Sequence, residues 1–397
     1  MTSSEWRTAA GLSGIFGLRM FGLFLVLPVF AVYGPELTGA TPALVGLAIG
    51  IYGLTQALLQ IPMGFLSDRF GRRRVILAGL LAFALGSVVA ALSDHIAGVI
   101  LGRALQGGGA IAAAVLALAA DLTEPRQRTK VMALIGMSVG ATFLAAMVLG
   151  PVLAGIGGLA SLFWVSAVLA LLAVVVLYRV VPTPPPQRSH AEAGPVRGRF
   201  RDVLHNPNLL RLDLGILCLH FTLTAAFVVV PVLLRDTLAL PVESHWLVYV
   251  PVLLLSVVAL VPAILCSERL GWHRGVLFGA VVCLTLAQLG LASAGSSWAL
   301  LVALWLWFAA FNVLEATLPA LISRYAPAVS KGTAMGVYAS AQFAGAFLGG
   351  TVGGIVQGLG GAAWVLLAGC LVSLVWLMVL PGMAQVPDSR DSAAAEG

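Results

Sequence analysis

Apolar residues run without alternation through twelve stretches of the chain, near 9–33, 43–66, 73–93, 97–121, 129–155 and 159–181, then near 209–235, 244–267, 274–294, 298–323, 331–357 and 361–382. Each is close to the roughly 20 residues that a helix needs to cross about 30 Å of hydrocarbon. Lipid cannot satisfy open backbone groups, so unbroken runs of this length predict helices. A barrel would show short strands of alternating polarity, and these runs do not alternate. The stretch 182–208 is rich in proline and arginine and cannot span. The pattern therefore predicts an all-α membrane protein: a six-helix bundle over 1–181, a linker over 182–208, a second six-helix bundle over 209–382 and a short tail over 383–397. Within the linker, 197–205 reads either as a short amphipathic helix held on anionic lipid by Arg197 and Arg201 or as disordered chain.

Composition removes the soluble alternatives. Hydrophobic residues make up 60% of the chain and charged residues only 10%. A soluble domain carries about 25% charged residues to keep its surface solvated. The formal charge of +6 raises the question of nucleic acid, and its placement answers it. With the N-terminus inside, nearly all Arg and Lys fall on the inner loops and tails, including Arg69, Arg72, Arg73, Arg74, Arg126, Arg128, Lys130, Arg269, Arg274, Arg324 and Lys331, while Arg235 falls outside. That asymmetry predicts both termini in the cytoplasm. Arg19 and Arg103 lie within spans. Cys218, Cys266, Cys283 and Cys370 lack CxxC spacing and read as small buried hydrophobes. The first apolar run is too long for a cleavable leader and is expected to stay as an anchor. Abundant Arg, Ala and Gly suggest a bacterial source, hence the inner membrane.

The chain repeats itself at an offset of about 200 residues. Pro62, Ser67, Arg69, Gly71, Arg74, Leu77 and Gly79 recur as Pro262, Ser267, Arg269, Gly271, Arg274, Leu277 and Gly279, and Asp68 recurs as Glu268. A separation of six helices gives both copies the same orientation, so this is a parallel repeat about an axis along the membrane normal. Two such halves are expected to enclose a central cavity and to rock against each other.

Three motifs carry a resemblance. The loop after the second run reads Gly64-Phe-Leu-Ser-Asp68-Arg69-Phe-Gly71-Arg72-Arg73-Arg74, and the fourth run carries Arg103-Ala-Leu-Gln106-Gly107-Gly108-Gly109-Ala110. These are similar to the G-x-L-x-D-R-x-G-R-[RK] loop and the R-x-x-Q-G-x-G-A motif of the major facilitator superfamily. Gly140, Gly150-Pro151 and Gly155 partly resemble its antiporter motif, with Ala146 and Ala154 where glycines would stand. The Arg19–Val29, Phe311–Pro319 and Lys331–Tyr338 segments look like the YajR-like subgroup of drug/proton antiporters, a likeness that covers nearly the whole chain. The soluble C-terminal domain known in that subgroup is not expected after 383–397. The resemblance implies the major facilitator fold and a cytoplasmic latch. In that latch Gly64, Asp68, Arg69, Gly71, Arg72 and Arg73 form the loop, and Asp68 docks on the start of the eleventh helix near Gly332–Gly336. It also implies that Arg103 couples protons or substrate; a structural tie between helices is the alternative.

Few titratable groups lie inside the spans. Glu315 and His220 stand out, with Asp121 and Asp213 nearer the inner ends. Ionisable groups at membrane depth are functional candidates by default, and a proton carrier there must be able to become neutral. Glu315 and His220 are therefore expected to couple protons, and the resemblance adds Arg103 to them. Arg19, Tyr52, Gln56, Gln106, Asn312, Tyr338 and Gln342 are expected to line the substrate cavity, with Tyr249 a weaker candidate. No Walker loop, metal spacing or nucleophile constellation is present, so no cofactor, metal or catalytic role is expected. The reading is a proton-coupled secondary transporter of small lipophilic or amphipathic compounds, acting as a monomer on substrate and protons with no nucleic-acid partner. A metabolite or sugar-like porter, a uniporter, and a non-transporting receptor or scaffold are the alternatives.

Overall fold

The computed structural model of the protein describes residues 1–183, 197–327 and 330–384. The middle of the linker, most of the tail and the side chain of Arg197 lie outside the described residues. Fourteen α-helices occur among them: α1 (Ser3–Phe24), α2 (Leu27–Tyr33), α3 (Pro42–Phe70), α4 (Arg72–Ala91), α5 (Ile96–Gly108), α6 (Ala112–Asp121), α7 (Pro125–Arg179), α8 (Arg197–His205), α9 (Pro207–Leu238), α10 (Trp246–Leu270), α11 (His273–Ala292), α12 (Ser297–Tyr325), α13 (Lys331–Gly360) and α14 (Ala362–Val379).

Thirteen of these helices, all but α8, make twelve spans. The helix α7 is interrupted by Gly157 and by Gly158 at φ 62°. At 1.5 Å per residue its 55 residues would run about 80 Å, more than twice the hydrocarbon thickness, so it is two spans joined by a two-glycine turn. The first span is divided into α1 and α2 just before Pro28, which lacks the N–H a continuous helix would use. The fourth is divided into α5 and α6 at Gly109 to Ile111. Neither break shows in hydropathy, because the residues at both are apolar or glycine. The short helix α8 forms over Arg197–His205 and packs on α13.

The described residues fall into two compact units, one drawn from Met1–Gly194 with Val230–Val250, the other from Pro195–Val229 with Pro251–Gly397. Val230–Val250 joins the first unit because the turn at Val242–Ser244 lies against α7, where Glu243 neighbours Gly155. In the first unit Leu12, Ile15, Ile76, Leu80, Val115 and Leu118 form a closed apolar core from α1, α4 and α6. Leu58, Leu85, Ile156 and Val175 stay exposed on its surface. A surface that displays leucine and isoleucine while Arg19, Gln56, Arg103 and Gln106 are buried reverses the soluble arrangement and suits lipid.

The repeat is visible in the backbone. Gly71 ends α3 at φ 94° and Gly271 follows α10 at φ 69°. Both adopt the left-handed region that favours glycine, which lets each chain reverse in one residue.

Candidate functional site

The α3–α4 loop is an ion-paired hinge. Asp68, at the end of α3, pairs with Arg72. Arg72 donates to Ser67 Oγ at 2.7 Å and to Asp121 Oδ2 at 3.4 Å, tying the start of α4 to the end of α6. Arg73 donates to Leu177 O and Thr183 Oγ1, both at 2.7 Å, and its guanidinium covers the Tyr178 ring. In the second copy Arg274 donates to Pro381 O at 2.8 Å. In each half, a basic side chain just past the glycine turn thus holds the far end of that half's last helix. Arg69 lies over Phe70, and Gly64 faces Ala113, where an added Cβ would make ordinary contact at 3.4 Å.

The first unit buries two arginines in a polar chain. Arg19, fully buried, donates to Tyr52 Oη at 2.6 Å and to Gln56 Oε1 at 2.7 Å, and Gln56 donates to Gln60 at 3.0 Å. Arg103 donates to Gln106 Oε1 at 3.0 Å and to the Ala48 and Ile49 carbonyls, and Gln106 donates to Ser87 Oγ at 2.8 Å. Both guanidiniums approach the Tyr52 ring, at 5.8 and 5.3 Å. Neither forms an ion pair among the described residues. Neutral acceptors (the Tyr52 hydroxyl, side-chain amide oxygens and backbone carbonyls) and ring faces surround two buried positive charges.

The second unit brings together a carboxyl and an imidazole side chain. His220 Nδ1 on α9 faces Glu315 Oε2 on α12 at 3.9 Å. The Gln342 amide on α13 lies 2.8 Å from His220 Nε2 and 3.5 Å from Glu315 Oε1. With that amide donating, Nε2 is the acceptor and the ring proton sits on Nδ1, toward the carboxylate. Glu315 keeps 40% of its side-chain surface open, while Oε2 is closed off without a hydrogen-bond partner. Asn312, one turn earlier on α12, donates instead to Ser256 Oγ on α10 at 2.6 Å. Tyr338 is buried one turn before Gln342. Tyr249 is buried beside His245, in the Val230–Val250 part of the first unit. The expected cavity residues thus divide between the units: Arg19, Tyr52, Gln56 and Gln106 lie in one, and Asn312, Tyr338 and Gln342 in the other, where Gln342 touches His220. Among the described residues no three of His, Cys, Asp and Glu come together as a metal site.

This fold and these motif residues can be compared with known proteins. A family model described as Major Facilitator Superfamily matches residues 12–267. The chain belongs to the major facilitator superfamily. It is similar to the inner membrane transport protein YajR of Escherichia coli, 48% identical over 98% of this chain and 85% of the relative. It is also similar to multidrug resistance protein 2 of Bacillus subtilis, 30% identical over 42% of each. Its fold matches the inward-facing, unoccupied crystal structure of a bacterial homologue of the human lysosomal transporter Spinster, with TM-score 0.79 at 14% identity over 96% of this chain and 97% of the other. It is a multi-pass membrane transporter of the secondary type, not an enzyme.

Other side chains that hold this superfamily site together escape sequence reading. Gln60, Ser87 and Ser256 are such partners, and nothing local marks them. The glycines leave a signal: Gly345-Ala-Phe-Leu-Gly349 is a G-x-x-x-G pair that seats α13 on the Leu217 and Phe221 backbone of α9. That close crossing is what carries Gln342 to His220. Gly349→Val should drive a side chain into the Phe221 carbonyl and destabilise the fold by roughly 1–3 kcal/mol, read as a lowered melting temperature of purified protein. An unchanged melting temperature would mean that the two helices can separate freely.

Proposed function

We propose that this superfamily member is a proton-driven exporter of small lipophilic or amphipathic compounds, working by alternating access as a monomer in the bacterial inner membrane, with both termini cytoplasmic. The observation that carries the reading is the Glu315–His220–Gln342 cluster. A carboxylate and an imidazole face each other inside apolar helices, with no Arg or Lys paired to either among the described residues. Charge inside a membrane bundle is costly, and a site that gains or loses one proton changes that cost, which can bias one conformation over another. Arg103, held by backbone carbonyls, contributes to the coupling from the first bundle. The Asp68–Arg72–Asp121 hinge is the releasable latch, with Asp68 docking on Gly332–Gly336 in the closed-inside state. The two bundles, 1–181 and 209–382, are the rocking bodies. Two relatives, an inner membrane transport protein and a multidrug resistance protein, agree in name with this membrane and this substrate class.

One observation favours a second reading, a porter of polar or anionic solutes. The Arg19–Tyr52–Gln56–Gln60 chain offers donors that a lipophilic cation would not use. A ligand-induced stability screen of the purified protein across drugs, sugars, amino acids and organic acids, run at two pH values, separates the readings. The exporter reading expects lipophilic drugs to raise the melting temperature, by an amount that depends on pH. Stabilisation by polar or acidic solutes alone would transfer the assignment to the second reading. Shifts independent of pH would remove proton coupling.

A further inference from the structure

The two halves repeat, yet their glycine turns have diverged. Where the first copy has Arg72, the second has Trp272. Arg72 closes its turn with polar contacts to Asp68, Ser67 and Asp121. Trp272 is 65% exposed and has no charge with which to form them. An exposed indole at the end of a span suits the boundary between acyl chains and headgroups, where its ring is apolar and its N–H is wet. Beside this turn the second unit carries two grooves, one on each side of the first turn of α11.

The larger groove, about 380 Å³, is formed by α10, α11 and α12, with Pro262, Ala263, Cys266, Val276 and Trp272 among its walls. The smaller, about 280 Å³, is formed by α11 and the end of α14, with Leu277, Phe278, Leu380, Met383 and Arg274 among its walls. Gly275 lines both, and a Cβ there would meet no protein atom within 4 Å. The grooves therefore adjoin at a residue with no side chain. Val261, Ile264, Leu265 and Phe278 are exposed on the same helices, a surface that suits acyl chains rather than water. Arg274, next to Gly275, is exposed and donates through Nη2 to Pro381 O at 2.8 Å. It joins no ion pair among the described residues. The Arg211 guanidinium lies against Gly382 of the same Leu380–Gly382 turn, which adds a second positive charge there.

We propose that this face of the second unit binds one anionic diacyl phospholipid of the surrounding bilayer, with an acyl chain in each groove and the phosphate on Arg274. Two apolar grooves that meet beside one basic group match a molecule with two apolar chains and one negative head. A free phosphate compound would use the arginine and leave both grooves unfilled. Basic pockets among transmembrane helices hold anionic headgroups in this way. Arginine suits the task because its planar guanidinium can give two parallel hydrogen bonds to phosphate oxygens. The site stands apart from the Glu315 cluster and does not depend on proton coupling or on the transported substrate.

Native mass spectrometry of the full-length protein in detergent tests this, with phosphatidylglycerol and phosphatidylcholine of the same chains as probes. Wild type should retain phosphatidylglycerol about fivefold more tightly, what one basic side chain contributes near anionic lipid. Arg274→Gln should erase that preference, and Arg74→Gln, at the matching position of the first half, should keep it. Gly275→Leu fills the junction without meeting any protein atom and should weaken retention of both lipids several-fold. Equal retention of the two lipids by wild type, or the same loss in both arginine variants, would reduce the effect to general surface charge and overturn the proposal. Unchanged retention in Gly275→Leu, or full competition by glycerol phosphate, would mean that no acyl chain fills the grooves, and overturns it as well. A dimer that Gly275→Leu breaks, with no lipid retained, would make the face a protein interface instead. Arg274 also holds the end of α14, so melting temperature verifies folding. If Arg274→Gln does not fold, Gly275→Leu decides alone.

Discussion

Glu315→Gln is expected to abolish substrate accumulation driven by a pH gradient while leaving substrate exchange across the membrane in place. Glutamine keeps the shape and one acceptor oxygen, so its contact with Gln342 can persist. What it cannot do is gain or lose a proton opposite His220 Nδ1, 3.9 Å away. Gradient-driven uptake into proteoliposomes should fall by about two orders of magnitude, the lower end of what a positioned proton-transfer group contributes. Counterflow, which needs alternating access but no net proton movement, should change by less than about threefold on the same scale. The assay uses a compound found in the stability screen. Loss of both activities would make Glu315 a binding or structural residue. Gradient dependence that stays unchanged would shift the coupling to His220 or Arg103.

Asp68→Ala should lower transport by about tenfold with membrane insertion and melting temperature nearly unchanged. The Asp68–Arg72 pair is partly exposed, with side-chain exposures of 33% and 15%. A pair of that kind contributes only about 0.2–1 kcal/mol to stability. Arg72 also keeps Ser67 and Asp121 as partners, so the hinge should remain folded. A tenfold change in rate corresponds to about 1.4 kcal/mol, more than this pair's own worth. A large transport defect without a stability defect would therefore mean that Asp68 acts in a conformation other than the one described. Wild-type initial rates in proteoliposomes would remove the latch role, and failure to insert would make the residue structural.

Much of the site could be read from the chain because it is carried by local rules. Gly71 and Gly271 sit where the backbone must turn with positive φ, so glycine marks the hinge in both halves. Arg19, Arg103, His220 and Glu315 stood out because an ionisable group in an apolar run is costly and rare. Their roles as a set were less legible. Asn312 lies one turn before Glu315 on α12, yet it bonds to Ser256 on α10. Asp213 lies near the inner end of a span, and only the tertiary structure shows its burial and its two oxygens without a hydrogen-bond partner.

The sequence by itself determined an all-α fold of many membrane spans and the glycine turns at Gly71 and Gly271, because bilayer thickness, backbone satisfaction and glycine's freedom act within one helix or one turn. The tertiary structure alone decided the breaks before Pro28 and at Gly109–Ile111, and the pairings of Arg19 with Tyr52 and Gln56, Arg73 with Leu177, and His220 with Gln342. Those pairings join groups between 33 and 122 residues apart. Which of them meet depends on how closely helices cross, at points such as Gly345 and Gly349 of α13 against α9, and hydropathy along a single helix carries no record of that.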